Sequence, residues 1–272
     1  MTLTRTEVRD LLDRYQISPK RSLGQNFVVE PNTVRRIAEL AEIETGDQVL
    51  EIGPGLGSLT LALADQGADV TALEIDDKLV EVLKEVTVGK QVNILHEDAM
   101  KFDFKTHTSS GRWKLVANLP YNISVPLICN VLDTSPSITE MLVMVQSEVA
   151  DRLVARPGTK AHGFPSVKVS FYAEASLVSR VPPSVFLPRP RVDSAIVRIK
   201  RKPHPDTTVD VEALFSLVRM GFTHRRKTLR RSLGGMVREE EFQKSSINST
   251  ARAEELNIDE WVRLAKEVRH EN

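Results

Sequence analysis

The sequence predicts an α/β fold with a mostly parallel sheet that ends antiparallel, followed by a small all-helical domain. Three observations carry this. From Gln48 to Ala155, short apolar runs alternate with stretches of helical period, the pattern of a parallel sheet with crossover helices. After Ala155 apolar runs follow one another without long helices between them, which points to antiparallel strands. Beyond Lys202-Pro203-His204-Pro205, read as a hinge, only helical periodicity remains. The expected boundaries are 1–202 for the first domain and 203–272 for the second.

In chain order, Glu7–Tyr15 is expected to be a helix and Ser18-Pro19 ends it. Thr33–Ile43 is a second helix. Strands are expected at Gln48–Ile52, Asp69–Leu73, Val92–Leu95, Trp113–Ala117 and Met141–Gln146. Helices fall at Ser58–Gln66, Asp77–Val86, Val125–Leu132 and Glu148–Ala155. Val167–Ala173, Ser176–Val181 and Ser194–Lys200 alternate apolar and polar residues or run apolar and are expected as strands. Val211–Phe222, Lys227–Leu233 and Asp259–Val268 are expected as the helices of the C-terminal domain.

Composition narrows the function classes. The chain has 272 residues and is 41% hydrophobic, with 37 basic and 37 acidic residues. No apolar run approaches a membrane span and the first ten residues lack a signal-peptide core, so a cytoplasmic protein with no membrane partner is expected. One cysteine, Cys129, excludes an internal disulfide, and the six scattered histidines form no metal-ligand spacing. No metal is expected. Although the net charge is zero, the stretch Arg180–Arg231 holds 13 basic residues against four acids, densest at Arg225-Arg226-Lys227 and Arg230-Arg231. That asymmetry points to a polyanion-facing surface.

In open α/β sheets ligands bind beyond the carboxyl ends of the strands. Four successive strand ends here carry polar groups: Glu51, Glu74, Asp98 and Asn118. The first continues as Glu51-Ile52-Gly53-Pro54-Gly55-Leu56-Gly57, whose glycines let the backbone turn sharply and approach a ligand. Glu74 stands 21 residues after Gly53, where an acid can grip a ribose hydroxyl pair. Ser58 occupies the place of the third glycine of a dinucleotide fingerprint, and Glu51 is charged. This combination fits S-adenosylmethionine better than a nicotinamide cofactor. Asp98 can accept from the adenine amino group or simply cap a helix. The fourth end reads Asn118-Leu119-Pro120-Tyr121. The Asn118 side-chain oxygen and the Leu119 carbonyl offer two acceptors for an exocyclic amine, and Tyr121 offers a face for a base. An ordinary strand-to-turn junction would also use Asn and Pro.

Taken together, these pieces resemble the ribosomal small-subunit RNA adenine dimethyltransferase family of the KsgA (RsmA) type. The matching stretches are Ser22-Leu23-Gly24-Gln25-Asn26-Phe27, the Glu51–Gly57 loop, Glu97-Asp98-Ala99-Met100, Asn118–Ser124, Gln146-Ser147-Glu148-Val149, Val181–Phe186, Pro188–Ser194 and Arg225–Arg230. Their order covers nearly the whole chain. The resemblance implies a Rossmann-like methyltransferase domain plus a helical C-terminal domain. It implies dimethylation of N6 on two adjacent adenosines near the 3′ end of the small-subunit RNA, with S-adenosylmethionine as methyl donor. Gln25, Asn26, Val28, Glu51, Gly53, Gly55, Gly57, Glu74, Asp98 and Asn118 would form the cofactor site. Asn118, Leu119, Pro120, Tyr121 and Phe186 would hold the target base, with Tyr121 and Phe186 as a sandwich. Arg225, Arg226, Lys227, Arg230 and Arg231 would grip RNA. The implied partner is small-subunit RNA in an assembling 30S particle, met by a monomer.

The chain departs from the family pattern at Val28, where leucine is usual, at His162 and Pro165, which lie off the catalytic edge, and at Arg231, which stands for a usual asparagine in the basic run and bears on RNA grip rather than on the chemistry. Leu119 argues against the large-subunit resistance methyltransferases, which usually carry isoleucine there. Asn118 argues against a non-catalytic RNA-binding factor on the same fold. Ser58 and Glu51 argue against an NAD-dependent oxidoreductase.

Overall fold

The computed structural model describes residues 2–203 and 208–268. Helix α1 (Arg5–Arg14) starts at Thr4, whose hydroxyl caps Glu7 N–H while Glu7 reaches back to the Thr4 N–H. A two-residue strand β1 (Phe27–Val28) precedes α2 (Pro31–Leu40). Then follow β2 (Gln48–Ile52), α3 (Ser58–Asp65), β3 (Asp69–Glu74), α4 (Asp77–Val86), β4 (Val92–His96), α5 (Phe104–His107), β5 (Trp113–Asn118), α6 (Ser124–Thr134), β6 (Ile138–Gln146) and α7 (Ser147–Leu153). The rest of the chain supplies α8 (Phe164–Tyr172), β7 (Ala173–Val181), β8 (Phe186–Leu187), β9 (Ser194–Arg201), α9 (Val211–Thr223), α10 (Leu229–Ser232), α11 (Glu239–Lys244) and α12 (Ile258–Glu267).

Two compact units result, residues 1–150 with 176–201, and residues 151–175 with 202–272. The first holds a seven-stranded sheet in the order β4-β3-β2-β5-β6-β9-β7. β4, β3, β2, β5 and β6 run parallel, and β9 pairs antiparallel with β6, Met144 opposite Ile196. The central strands β2, β5 and β6 are largely apolar because both faces are covered: Val49, Leu50, Val116, Ala117 and Val143 are fully buried. The chain moves outward from β2 to β3 and β4, then returns to place β5 on the other side of β2. That reversal opens a crevice at the carboxyl ends of β2 and β5. β1 and β8 form a separate antiparallel pair, Phe27 opposite Leu187 and Val28 opposite Phe186.

Two of the basic residues after Arg180 hold this unit together. Arg198 pairs with Glu140 at 2.9 Å and Glu42 at 3.1 Å, and bonds the Leu40 carbonyl. Arg201 donates to the carbonyls of Val131, Leu132, Ser135 and Ile138, closing the end of α6. The polyanion-facing surface expected over the whole stretch therefore shrinks, since these two arginines serve the fold.

The second unit is helical. Trp261 of α12 is completely buried, with Leu214, Val218, Leu229, Phe242 and Leu264. Gly221 lets α9 come close: a Cβ there would lie 2.6 Å from the Trp261 ring. Val167–Ala173, expected as a strand, belongs to helix α8 up to Tyr172. Alternation of Val167, Val169 and Phe171 with Ser166, Lys168 and Ser170 looked like a half-buried strand, yet Ser166 and Lys168 are buried as well. A helix covered on all sides shows no amphipathic period. Ser166 Oγ fixes its start by accepting the Gly163 N–H at 3.0 Å and donating to the Arg152 carbonyl at 2.5 Å.

The basic stretch is also different from expectation. Arg225, Arg226 and Lys227 lie in the turn between α9 and α10, and the helix expected from Lys227 begins only at Leu229. Thr228 is drawn into a β-bridge with Arg252, and Leu229 and Arg230 N–H groups bond to Ala251 and Ser249 carbonyls. Helix α11 was not expected. Of the expected hinge, Lys202 and Pro203 are described, while His204 and Pro205 lie outside the described residues. No described helix is long and apolar enough to cross a membrane.

Candidate active site

The crevice contains a cavity of about 290 Å³. Its walls come from the stretch Leu23–Val28, the glycine loop Gly53–Leu56, Glu74 and Ile75 at the end of β3, Glu97–Met100 after β4, and Asn118–Ile123 at the end of β5. Of the residues expected to hold the cofactor, Gln25, Asn26, Val28, Gly53, Gly55, Glu74, Asp98 and Asn118 line this one cavity, while Glu51 and Gly57 do not.

The glycine loop is shaped by contact as well as by conformation. Gly53 has φ +67° and a Cβ there would lie 3.2 Å from Pro120. Gly55 has φ +61° and its Cβ would lie 2.9 Å from the Phe27 ring. So the first strand end touches both the Asn-Leu-Pro-Tyr turn and the N-terminal segment, and only glycine allows it.

Glu74 is 4% exposed. Its Oε1 accepts the Ile75 and Asp76 N–H groups at 3.0 Å each, and Oε2 accepts Gly55 N–H at 3.2 Å. Burial raises its pKa, with these three donors opposing the rise. Asp98 accepts the Met100 N–H at 2.9 Å through Oδ1, a local turn contact. Glu51 sits behind the loop rather than in the cavity. It is 2% exposed, and burial pushes its carboxyl up to about 8. The Thr60 hydroxyl beside it acts to lower that value, though neither Glu51 Oε2 nor Thr60 Oγ1 has a partner in hydrogen-bond geometry among the described residues.

Asn118 closes β5. Its Nδ2 donates to the Asn26 carbonyl at 3.0 Å. Its Oδ1 is buried and has no partner among the described residues, which costs stability unless something brought by a ligand donates to it. Leu119 N–H is used by the Met144 carbonyl, so the backbone of the turn is fixed against β6. Tyr121 donates to or accepts from Ser194 Oγ at 2.6 Å, and burial raises its pKa. Ser194 was not singled out among the expected site residues; it lies in the Pro188–Ser194 stretch, but a serine at a strand start carries no signal of a tyrosine partner. Phe186 stands elsewhere: it is 2% exposed, paired with Val28 and packed among Val181, Val185 and Ile196. The expected sandwich of Tyr121 and Phe186 is not formed here, because the Phe186 ring is committed to the core.

The cavity suits S-adenosylmethionine on its own chemistry. It combines apolar walls (Val34, Ile37, Leu59, Ile75, Leu79) with the buried Glu74 carboxylate and an orphaned amide oxygen. Among the described residues no group of three potential metal ligands occurs.

The family model for ribosomal RNA adenine dimethylase matches residues 17–270. The chain belongs to that family. Membership makes it an S-adenosylmethionine-dependent rRNA adenine dimethyltransferase. A protein of Kineococcus radiotolerans named Ribosomal RNA small subunit methyltransferase A is 44% identical over 97% of this chain and 90% of its own length. The protein of the same name from Streptomyces coelicolor is 42% identical over 96% of this chain and 94% of its own. Among solved structures, a dimethyladenosine transferase from Plasmodium falciparum aligns with a TM-score of 0.74 at 25% identity, over 86% of this chain and 94% of that one. The 23S rRNA methyltransferase ErmE aligns with a TM-score of 0.68 at 27% identity, over 89% and 99%.

In the second unit, Arg225 is tied down. Its Nη2 donates to the Lys160 carbonyl at 2.7 Å, to the His162 carbonyl at 3.1 Å and to Glu254 at 2.9 Å. His162 itself is buried, its Nδ1 3.0 Å from the Glu254 carbonyl. Arg226, Lys227, Arg230 and Arg231 are exposed and have no ion pair among the described residues.

Proposed function

We propose that the protein transfers methyl groups to N6 of two adjacent adenosines in the 3′-terminal hairpin of small-subunit ribosomal RNA, acting as a monomer on an assembling 30S particle in the cytoplasm. The observation that carries the chemistry is the buried, unpartnered Asn118 Oδ1 in a cavity otherwise lined for a nucleoside cofactor. The small-subunit substrate is supported by the names of relatives 41–44% identical to the chain, against 27% for the large-subunit enzyme ErmE.

Glu74 holds the ribose hydroxyls, Asp98 the adenine amino group, and Asn26, Val28, Gly53 and Gly55 shape the remaining wall. When bound, S-adenosylmethionine supplies a methyl carbon made electrophilic by its sulfonium, which the N6 lone pair displaces from sulfur. Adenine N6 is a weak nucleophile because its lone pair is delocalised into the ring. Asn118 Oδ1 and the Leu119 carbonyl accept its two N–H groups and draw the nitrogen toward tetrahedral geometry. In the second round one N–H remains, so one acceptor suffices. Pro120 keeps the turn rigid and Tyr121, held by Ser194, stacks against the extruded base. Phe186 backs β1 from the core. Placement of donor and acceptor in line supplies most of the acceleration, so no general base precedes attack; each transfer breaks the methyl–sulfur bond, leaves sulfur as a neutral thioether, and N6 then sheds one N–H proton to water. Arg226, Lys227, Arg230 and Arg231 contact phosphates, and Arg225 shapes their turn.

The experiment is direct. Labelled S-adenosylmethionine and undermethylated small subunits should yield N6,N6-dimethyladenosine at two adjacent positions. Label appearing instead in large-subunit RNA, or in none, would contradict the reading.

A further inference from the structure

The segment Lys20–Val28 crosses the cavity and is fastened at both sides. On one side stands Asp76, two residues past Glu74 and buried. Its Oδ2 receives Lys20 Nζ at 2.7 Å and Gln25 Nε2 at 3.0 Å, while Oδ1 caps α4 through the Lys78 N–H at 3.2 Å. Gln25 Oε1 in turn accepts the Lys20 N–H at 2.7 Å, which folds the segment on itself. Burial alone would raise Asp76, but Lys20 and Gln25 outweigh it and keep the carboxyl below its usual range. On the other side, Asn122 Nδ2 donates to the Ser22 carbonyl at 3.2 Å and Asn118 Nδ2 to the Asn26 carbonyl at 3.0 Å. Gly24, φ +65°, lies so close to this turn that a Cβ would sit 2.9 Å from Asn122 Oδ1 and 3.2 Å from the Tyr121 nitrogen.

This arrangement decides which way the Asn118 amide points. A backbone carbonyl can only accept, so the amide end facing Asn26 must be the NH₂. The oxygen is then left for the target amine. Were Asn26 to move away, the amide could turn over and present N–H to a group that itself donates. We propose that Lys20 and Asp76 are positioning residues for methyl transfer: their ion pair pins the segment so that the Asn26 carbonyl keeps the Asn118 oxygen turned toward the substrate. This rests on the assignment of Asn118 as the N6 acceptor. Neither residue touches the reacting atoms.

The test compares Lys20→Met, Lys20→Arg and Asn118→Ala in the full chain, measuring kcat, KM for RNA and thermal midpoint. The Lys20 side chain is 53% exposed, so its replacement leaves the packing in place. Lys20→Met should lower kcat by about tenfold or more, within the range that misplacing a reacting group costs. KM for RNA should stay at its wild-type value and Lys20→Arg should restore kcat; the midpoint falls because Asp76 is left buried without its cation, so kcat is read well below it, where the variant is fully folded. Wild-type kcat in Lys20→Met, no recovery in Lys20→Arg, or a kcat loss that vanishes at temperatures well below the midpoint would overturn the proposal. Normal turnover in Asn118→Ala would overturn the reading beneath it, and the proposal with it.

Discussion

Replacing Glu74 by glutamine should weaken S-adenosylmethionine binding far more than it weakens the fold. In the wild type, Glu74 Oε1 takes two backbone donors, Ile75 and Asp76, and Oε2 takes Gly55 N–H. The glutamine oxygen keeps the pair of bonds at the Oε1 position. Its NH₂ then faces the Gly55 N–H, so one buried donor loses its partner, costing about 1–3 kcal/mol. Loss of the buried charge, whose pKa burial has already raised, offsets part of that. Binding has no such offset. A hydrogen bond from a ribose hydroxyl to a carboxylate contributes about 1.5–3 kcal/mol, which corresponds to roughly 10- to 150-fold in Kd. Titration calorimetry on the free enzyme, with melting curves to show that the variant is folded, gives both quantities. A Kd within twofold of wild type in a folded Glu74→Gln variant would refute the ribose assignment.

Three further outcomes follow from charge. Glu51 has its folded pKa raised from 4.5 to about 8, so the folded state keeps its proton while the unfolded state loses it as pH rises. Stability should therefore be highest below pH 4.5 for this group, decline between about 4.5 and 8, and then level off; Glu51→Gln should raise the thermal midpoint at pH 8, reflecting an unfolding free energy larger by on the order of 4 kcal/mol before relaxation, and should lose that advantage near pH 4.5. Equal midpoints at pH 8 would show that Glu51 is not buried as a neutral acid. Arg226→Ala with Lys227→Ala should weaken RNA binding without changing cofactor affinity, and flatten the plot of log affinity against log salt by about 0.7–0.9 per lost phosphate contact. Arg225→Ala should instead lower the thermal midpoint, because its guanidinium joins Lys160, His162 and Glu254. An unchanged slope in the first variant would mean a merely solvated turn.

The strand ends were legible because each apolar run stops on a polar residue, and the chain's own alternation orders them along one edge. Glu74, Asp98, Asn118 and the glycines at 53 and 55 accordingly meet in one cavity. Phe186 was harder: an aromatic in a proline-rich segment reads equally as a stacking ring or a core anchor, and only the pairing of Phe186 with Val28 separates the two. The run Arg225–Lys227 looked uniform, yet Glu254, 29 residues away, removes Arg225 from it. The Lys20–Asp76 pair joins residues 56 positions apart, and no local pattern announces such a contact. Helix α8 shows the limit of period reading, since burial on every side erases the period.

The most direct measurement of the central claim is methyl transfer by Asn118→Ala. Its substrate is undermethylated small subunits, and cofactor binding and thermal midpoint are recorded on the same preparation. The orphaned Oδ1 is the one buried side-chain acceptor in the cavity with no partner among the described residues, while Nδ2 bonds the Asn26 carbonyl, so the variant also loses that bond and some cofactor affinity. At saturating S-adenosylmethionine, with the protein folded, turnover should fall by about a hundredfold or more, on the scale of losing one preorganised polar contact. Turnover within a few-fold of wild type would contradict the account, since N6 would then be held by groups other than Asn118.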